Sequence, residues 1–110
     1  MRNRAKVEAA IANARAALRL AEDDDSFSEL IWSLMPKRSR VPRRRSDLRA
    51  TTRESIALAR ELKRRGFRFV GPTTAYALMQ ACGIVNDHLA GCGVRAAVEE
   101  ERRRAAIRRV

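Results

Sequence analysis

The segment that most constrains this chain is Leu62-Lys63-Arg64-Arg65-Gly66-Phe67-Arg68-Phe69-Val70-Gly71-Pro72-Thr73, where a helix must stop, turn and restart. Upstream, Ile56, Leu58, Ala59 and Leu62 recur at helical spacing and are the expected buried residues of one helix. Thr51 or Thr52 caps that helix, with Glu54 in its first turn. Lys63, Arg64 and Arg65 close it, where cations suit the helix dipole, and Gly66 follows as the C-terminal stop. Pro72 fits the first turn of the next helix, which carries Tyr76, Leu78 and Met79 to about Cys82, where Gly83 breaks it. Phe67, Phe69 and Val70 are expected to anchor the connection to the core. Residues 54–82 therefore read as two helices joined by a short glycine-containing hairpin.

The flanking sequence is helical as well. Residues 3–20 are Ala-rich, and Val7, Ile11, Ala14 and Leu18 recur at three- and four-residue steps, the pattern of an amphipathic helix. The acidic run Glu22–Asp25 ends it. Asp25 or Ser26 caps the next helix, and Glu29 stands at the capping-box spacing from Ser26. Phe27, Leu30, Ile31 and Leu34 form that helix's apolar side with Trp32 nearby, and Pro36 stops it. Residues 36–50 hold two prolines and a crowd of arginines without apolar period, so they read as a mobile basic loop. Residues 84–92 read as a further short helix, and residues 93–110 as a charged tail, helical or frayed. No strand pair and no internal repeat is present. The expected fold class is all-α: one helical bundle containing a helix-hairpin-helix, with its domain over residues 1–92.

Charge narrows the partners. The 110 residues carry a formal net charge of +11, with 45% hydrophobic and 34% charged residues. That mixture is globular, since disorder combines low hydrophobicity with high charge. Apolar stretches fall short of the roughly 18 residues a membrane span needs, so no membrane partner is expected. Residues 1–20 lack the apolar block and cleavage site of a secretory signal. The two cysteines then suit a reducing compartment, the cytoplasm. The positive surplus favours a polyanion, nucleic acid first, although a merely basic and soluble surface gives the same arithmetic. There is one His, and no glycine loop of Walker or Rossmann type, so a Ser-His-Asp or multi-histidine metal enzyme would have to be built on His88 alone.

A hairpin of this kind exposes free amides at the start of its second helix, and these, with the positive dipole end, form a phosphate site. Lys63, Arg64, Arg65 and Arg68 surround it with charge. Such a unit holds the DNA backbone without reading sequence, while an ordinary helical corner uses the same glycines only to turn. His88 and Cys92 stand four residues apart, about 40° around a helix and on one face. Imidazole and thiolate together suit half of a tetrahedral zinc site, although H-x-x-x-C alone also describes a surface His beside a buried Cys. Cys82 reads as a core residue.

Residues 58–92, LARELKRRGFRFVGPTTAYALMQACGIVNDHLAGC, closely resemble the C-terminal half of the DNA-3-methyladenine glycosylase I family. The likeness is carried by Leu62 through Thr73, then Tyr76, Met79-Gln80-Ala81, Gly83, and Val85-Asn86-Asp87-His88 with Cys92. A weaker likeness runs through Arg2-Asn3-Arg4-Ala5-Lys6-Val7-Glu8, Asn13-Ala14-Arg15, Ser26-Phe27 and Trp32-Ser33. The loop 36–50 and the tail after about residue 93 fall outside it.

The resemblance implies an all-helical helix-hairpin-helix DNA repair enzyme. Such an enzyme hydrolyses the bond between deoxyribose and an alkylated base, chiefly 3-methyladenine, in base-excision repair, with the base flipped out of double-stranded DNA. It implies DNA-backbone contacts by Lys63, Arg65, Gly66, Arg68, Phe69, Val70, Gly71, Pro72 and Thr73. It also implies that His88 and Cys92 are a zinc pair. The family's other Cys and His ligands, its Glu and most aromatic residues that hold the flipped base lie in an N-terminal segment with no counterpart here. No catalytic residue is therefore assigned, and Glu8, Glu29 and Glu54 read as surface or cap residues. Met1 falls where the family has a mid-fold aliphatic residue, so the expectation is a truncated member, from a gene remnant or a misplaced start. Such a chain would hold only half a zinc site. It would self-associate through the surface laid bare, and would work at the nucleoid in a bacterial cytoplasm. Two other classes stay open: a non-enzymatic helix-hairpin-helix module that grips DNA backbone through residues 66–73 and 37–49, and a partner-binding helical protein.

Overall fold

A computed structural model describes residues 3–22, 27–37 and 40–108. Its elements are α1 (Arg4–Glu22), α2 (Phe27–Ser33), a 3-10 turn (Arg45–Asp47), α3 (Arg53–Arg64), α4 (Pro72–Cys82) and α5 (Arg95–Arg108), and no strand occurs among the described residues. The all-α expectation holds. The proposed caps at Asp25 and Ser26 lie outside the described residues, as does Met1.

The core is built on α3 and α4, which make the most extensive helix–helix contact in the molecule. Thr52 starts α3 by a capping box: its Oγ1 accepts from the Ser55 amide at 3.2 Å, and the Thr52 amide donates to Ser55 Oγ at 2.8 Å. Leu58, Ala59 and Leu62 of α3 meet Ala75, Tyr76 and Met79 of α4, and Ile31 of α2 with Ile84 and Val85 complete the cluster. Ile56 does not join it. It is 39% exposed, because at about 100° per residue it lies about 160° around the helix from Leu58 and about 120° from Leu62.

Three further expectations are corrected. α1 is helical as read, but it docks through Ala9 and Ala16, small residues that let the helix axis come close, and through Leu20. Its Val7, Ile11 and Leu18 are 47%, 50% and 65% exposed, and Ala14 is exposed with them. Residues 84–92 form no helix. Gly83 ends α4 in the left-handed conformation (φ 78°), and the chain continues as an irregular loop to α5. Cys82 is exposed and not in the core.

The basic loop is better tied down than its composition suggests. Asp47 Oδ2 accepts from the amides of Arg43 and Arg44 at 3.0 and 3.1 Å, Pro42 is fully buried, and its carbonyl accepts from the Ala90 amide at 2.8 Å. The tail is likewise docked. Arg102, 6% exposed, donates Nε to the Gly83 carbonyl (2.7 Å) and Nη2 to that of Ile84 (3.1 Å), taking up acceptors that the end of α4 leaves free. No described helix is long and apolar enough to cross a membrane.

Candidate nucleic-acid interface

The hairpin follows α3 through residues 65–71. Gly66 has φ 98°, a conformation that strains any residue with a Cβ. Arg19 Nη2 of α1 would lie 2.6 Å from such a Cβ, but it ends a flexible side chain that can move aside, so the positive φ is what selects glycine here. Phe67 and Val70 pack against the core, and the Phe67 ring meets Phe27 at 5.8 Å between centroids. Phe69 does not anchor the hairpin. It is 63% exposed and takes φ 58°, a left-handed conformation that costs a bulky residue about 1–3 kcal/mol. An exposed aromatic held in that conformation is typical of ligand-contacting loops.

α4 starts at Pro72 with Gly71 as its cap and no capping side chain. The Ala75 amide is the first to bond back, to the Gly71 carbonyl at 2.9 Å. The Thr73 and Thr74 amides, both on exposed residues, have no partner among the described residues. A Cβ on Gly71 would meet nothing within 4 Å, so the approach to these amides is open. Free donors and the positive helix end thus face open space together.

The start of the hairpin lines a cleft of about 360 Å³ with Ala12, Arg15, Arg19, Lys63, Gly66, Phe67 and Arg68, four cations without a carboxylate. Lys63 and Arg68 are brought together as expected. Arg65 is not free for this cleft: its Nε donates to Glu61 Oε1 at 2.8 Å, and Arg64 joins the same carboxylate. Hydrogen bonds from Arg64 and Arg65 hold the Glu61 carboxyl down at about 2. Arg15, Arg19 and Asn13 were missed as site residues. Asn13 clasps the hairpin backbone, its Oδ1 accepting from the Arg68 amide (2.7 Å) and its Nδ2 donating to the Arg68 carbonyl (3.2 Å). The available signal was the four-residue step from Arg15 to Arg19, which stacks two cations on one side of α1.

His88 and Cys92 meet although no helix joins them. Cys92 Sγ lies 3.6 Å from His88 Nδ1. Ligands about 2.3 Å (sulfur) and 2.1 Å (nitrogen) from one tetrahedral zinc stand about 3.6 Å apart, so the pair fits two adjacent zinc positions. Among the described residues no group of three or more His, Cys, Asp or Glu side chains could hold a metal ion, so the pair stands alone there. The loop carrying it is held from α5: Arg95 Nη1 donates to the Asn86 and His88 carbonyls at 2.9 and 2.6 Å, and Glu99 Oε1 accepts from Asn86 Nδ2 at 2.9 Å.

Comparison with known proteins agrees with this geometry. A family model described as methyladenine glycosylase matches residues 1–96. The chain is 43% identical over 94 residues to DNA-3-methyladenine glycosylase 1 of Escherichia coli, covering 84% of this chain and 50% of the relative. It is 45% identical over 95 residues to a DNA-3-methyladenine glycosylase of Haemophilus influenzae, covering 84% and 51%. A crystal structure of 3-methyladenine DNA glycosylase I superposes with a TM-score of 0.77 at 42% identity, covering 84% of this chain and 52% of that one. The 3-methyladenine DNA glycosylase I of Staphylococcus aureus, solved to explain 3-methyladenine recognition, gives 0.77 at 28% identity, covering 86% and 52%. The chain spans about half the length of the relatives it matches. With a family match over nearly its whole length and these identities, the chain belongs to the methyladenine glycosylase family.

Proposed function

We propose that this chain is the DNA-gripping half of a glycosylase that releases 3-methyladenine from alkylated double-stranded DNA in base-excision repair. The observation that carries the reading is the hairpin: unpartnered Thr73 and Thr74 amides open to solvent at its end, and Lys63 and Arg68 lining a cationic cleft at its start, in a chain of this family. Each group has a role in it. The amides and the α4 dipole hold one backbone phosphate, and Lys63 and Arg68 neutralise its neighbours. Exposed Phe69 lies against the sugar or groove edge. The alkylated base, already a good leaving group, must leave the stack at a cost of a few kcal/mol. The clamp fixes the duplex while that happens. Base recognition itself is assigned to no residue of this chain.

Zinc, if bound, takes His88 and Cys92 as two of its ligands and would cross-link the loop before α5. Two ligands bind far more weakly than four. Val7, Ile11 and Leu18 offer an apolar surface for self-association, which sedimentation as a dimer would support and a stable monomer without dye-binding apolar surface would refute. The absence of a membrane-crossing helix among the described residues and the two free cysteines suit work in the cytoplasm.

The half-length match favours a second reading, a module that binds duplex and releases no base. One experiment separates the two. Purified chain is titrated with duplex across a salt series and assayed on methylated DNA for 3-methyladenine release. Binding with a steep salt slope, reduced by about 0.9 for each phosphate that Lys63→Gln or Arg68→Gln leaves unneutralised, supports the clamp. Base release then supports the enzyme, and its absence supports the module. A slope indifferent to both substitutions rejects the hairpin as the point of attachment.

A further inference from the structure

A second cationic site lies away from the hairpin. The basic loop, the start of α3 and the loop after α4 enclose a cavity of about 320 Å³ that shares no residue with the hairpin cleft. It is lined by Arg40, Arg49, Arg53 and Arg102 against two carboxylates, Glu54 and Asp87. Two of these six groups already have partners. Arg102 spends its guanidinium on the Gly83 and Ile84 carbonyls and on Glu99. Asp87 accepts from the Tyr76 hydroxyl and from Gln80 Nε2 at 2.9 Å. Those donors are neutral and leave the Asp87 charge in place. Arg49 and Arg53 have no hydrogen-bond or ion-pair partner among the described residues, so with Arg40 they leave a surplus of one positive charge over Glu54 and Asp87.

The Arg40 guanidinium shows what is missing. Its Nη1 donates to the Asp47 carbonyl at 2.5 Å, but its Nη2 is buried and has no partner. A buried guanidinium nitrogen left without an acceptor is costly, and native structures seldom keep one without an ion or water to meet it. A water would satisfy the hydrogen bond but not the charge. We propose that this cavity binds a phosphomonoester, with Arg40, Arg49 and Arg53 as its cationic ligands. The guanidinium fork matches phosphate oxygens in pairs. A phosphomonoester offers three terminal oxygens to the three guanidinium groups, whereas a backbone phosphodiester offers two. The volume sits at the low end for small-ligand pockets and admits a mononucleotide-sized anion. The phosphate can belong to a free small molecule or to the 5′ end of a DNA strand. The site does not depend on the hairpin's reading as a DNA clamp.

The test follows the amide spectrum of the full chain during titration with inorganic phosphate, deoxyadenosine monophosphate, and a short single strand with or without a 5′-phosphate. Saturable shifts at Arg40, Thr52 and Arg53, with residues 66–73 still under inorganic phosphate, are expected. Arg53→Met, at an exposed position, should weaken binding about tenfold or more without disturbing the fold, and Arg40→Met should do the same. A preference for free phosphate and mononucleotide assigns a small-molecule source, and a preference for the phosphorylated strand assigns a strand end. No saturation by any phosphomonoester, equal binding of the two strands without a preference for mononucleotide over both, or indifference to both substitutions would overturn the site.

Discussion

The two helices that flank the core, α1 and α5, invert what their sequences suggest. α1 has an apolar stripe, yet turns Val7, Ile11 and Leu18 outward and docks through alanines and Leu20. α5 has almost no apolar side, yet it is fixed to the core loop by Arg95, Glu99 and Arg102, which recur at helical spacing and make hydrogen bonds to residues 83–88. Apolar periodicity therefore tells that a segment is helical without telling what covers it. A covering surface has to exist, and the described residues offer none to Val7, Ile11 and Leu18. For α5, backbone carbonyls at the end of α4 supply the docking site, and these leave no mark in hydropathy.

Within the two flanking helices the largest expected effect is at Arg102. Arg102→Met keeps the side-chain length but leaves the Gly83 and Ile84 carbonyls without this donor and Glu99 with only Asn86 and Arg95. Unfolding in urea should show a loss of about 2–4 kcal/mol, with faster amide exchange at residues 84–88. A loss under about 0.5 kcal/mol would return α5 to the status of a solvated tail.

Much of the site was legible. Gly66, Gly71-Pro72 and the closing cations located the hairpin and its free amides, because stop and start signals are local. His88 and Cys92 were paired correctly for a wrong local reason, since an irregular loop brings them together and no helix does. Arg15, Arg19 and Asn13 were not legible as site residues, because a contact across 55 residues of chain is set by how α1 lands on the hairpin. Cys82 and Ile56 were misplaced because each looks apolar in sequence and only the packing decides which side of its helix faces solvent.

A smaller effect is expected where α1 does reach the hairpin. Asn13→Ala removes both bonds to the Arg68 backbone, at about 1 kcal/mol each or less on this exposed surface. Thermal unfolding should fall by that amount, and duplex affinity should fall with it if the clasp orients Arg68. Unchanged stability would mean that α1 only rests against the hairpin.

Acid should loosen α5 before α1. Burial by itself raises the Glu99 carboxyl, but hydrogen bonds from Asn86 and Arg102 and the charges of Arg102 and Arg95 outweigh it, so Glu99 ionises below its ordinary 4.5. A carboxyl lowered in the folded state gives stability that is present above the ordinary value and lost as pH falls past it. Protection of the amides at residues 84–88, measured against their intrinsic exchange at each pH, should fall as pH drops below about 4.5, while that of α1, whose exposed Glu8 pairs with Arg4 at the surface, changes little. An equal loss of protection in both helices would mean global unfolding rather than release of the staple.

The smallest effect is the one that bears most directly on α1. Leu18 is 65% exposed, so Leu18→Ser in the monomer should change stability by no more than about 0.5 kcal/mol, despite its place in an apolar stripe. Leu58, fully buried in α3, sets the contrast, since truncation there removes packing on every side and costs about 2–5 kcal/mol as Leu58→Ala. The comparison must be made at several protein concentrations. If Leu18→Ser is neutral when dilute but destabilising when concentrated, the stripe is covered by a second copy and its cost appears only in the associated form. If it is costly at every concentration, Leu18 is packed within the monomer and the picture of α1 as a helix waiting for a cover is wrong.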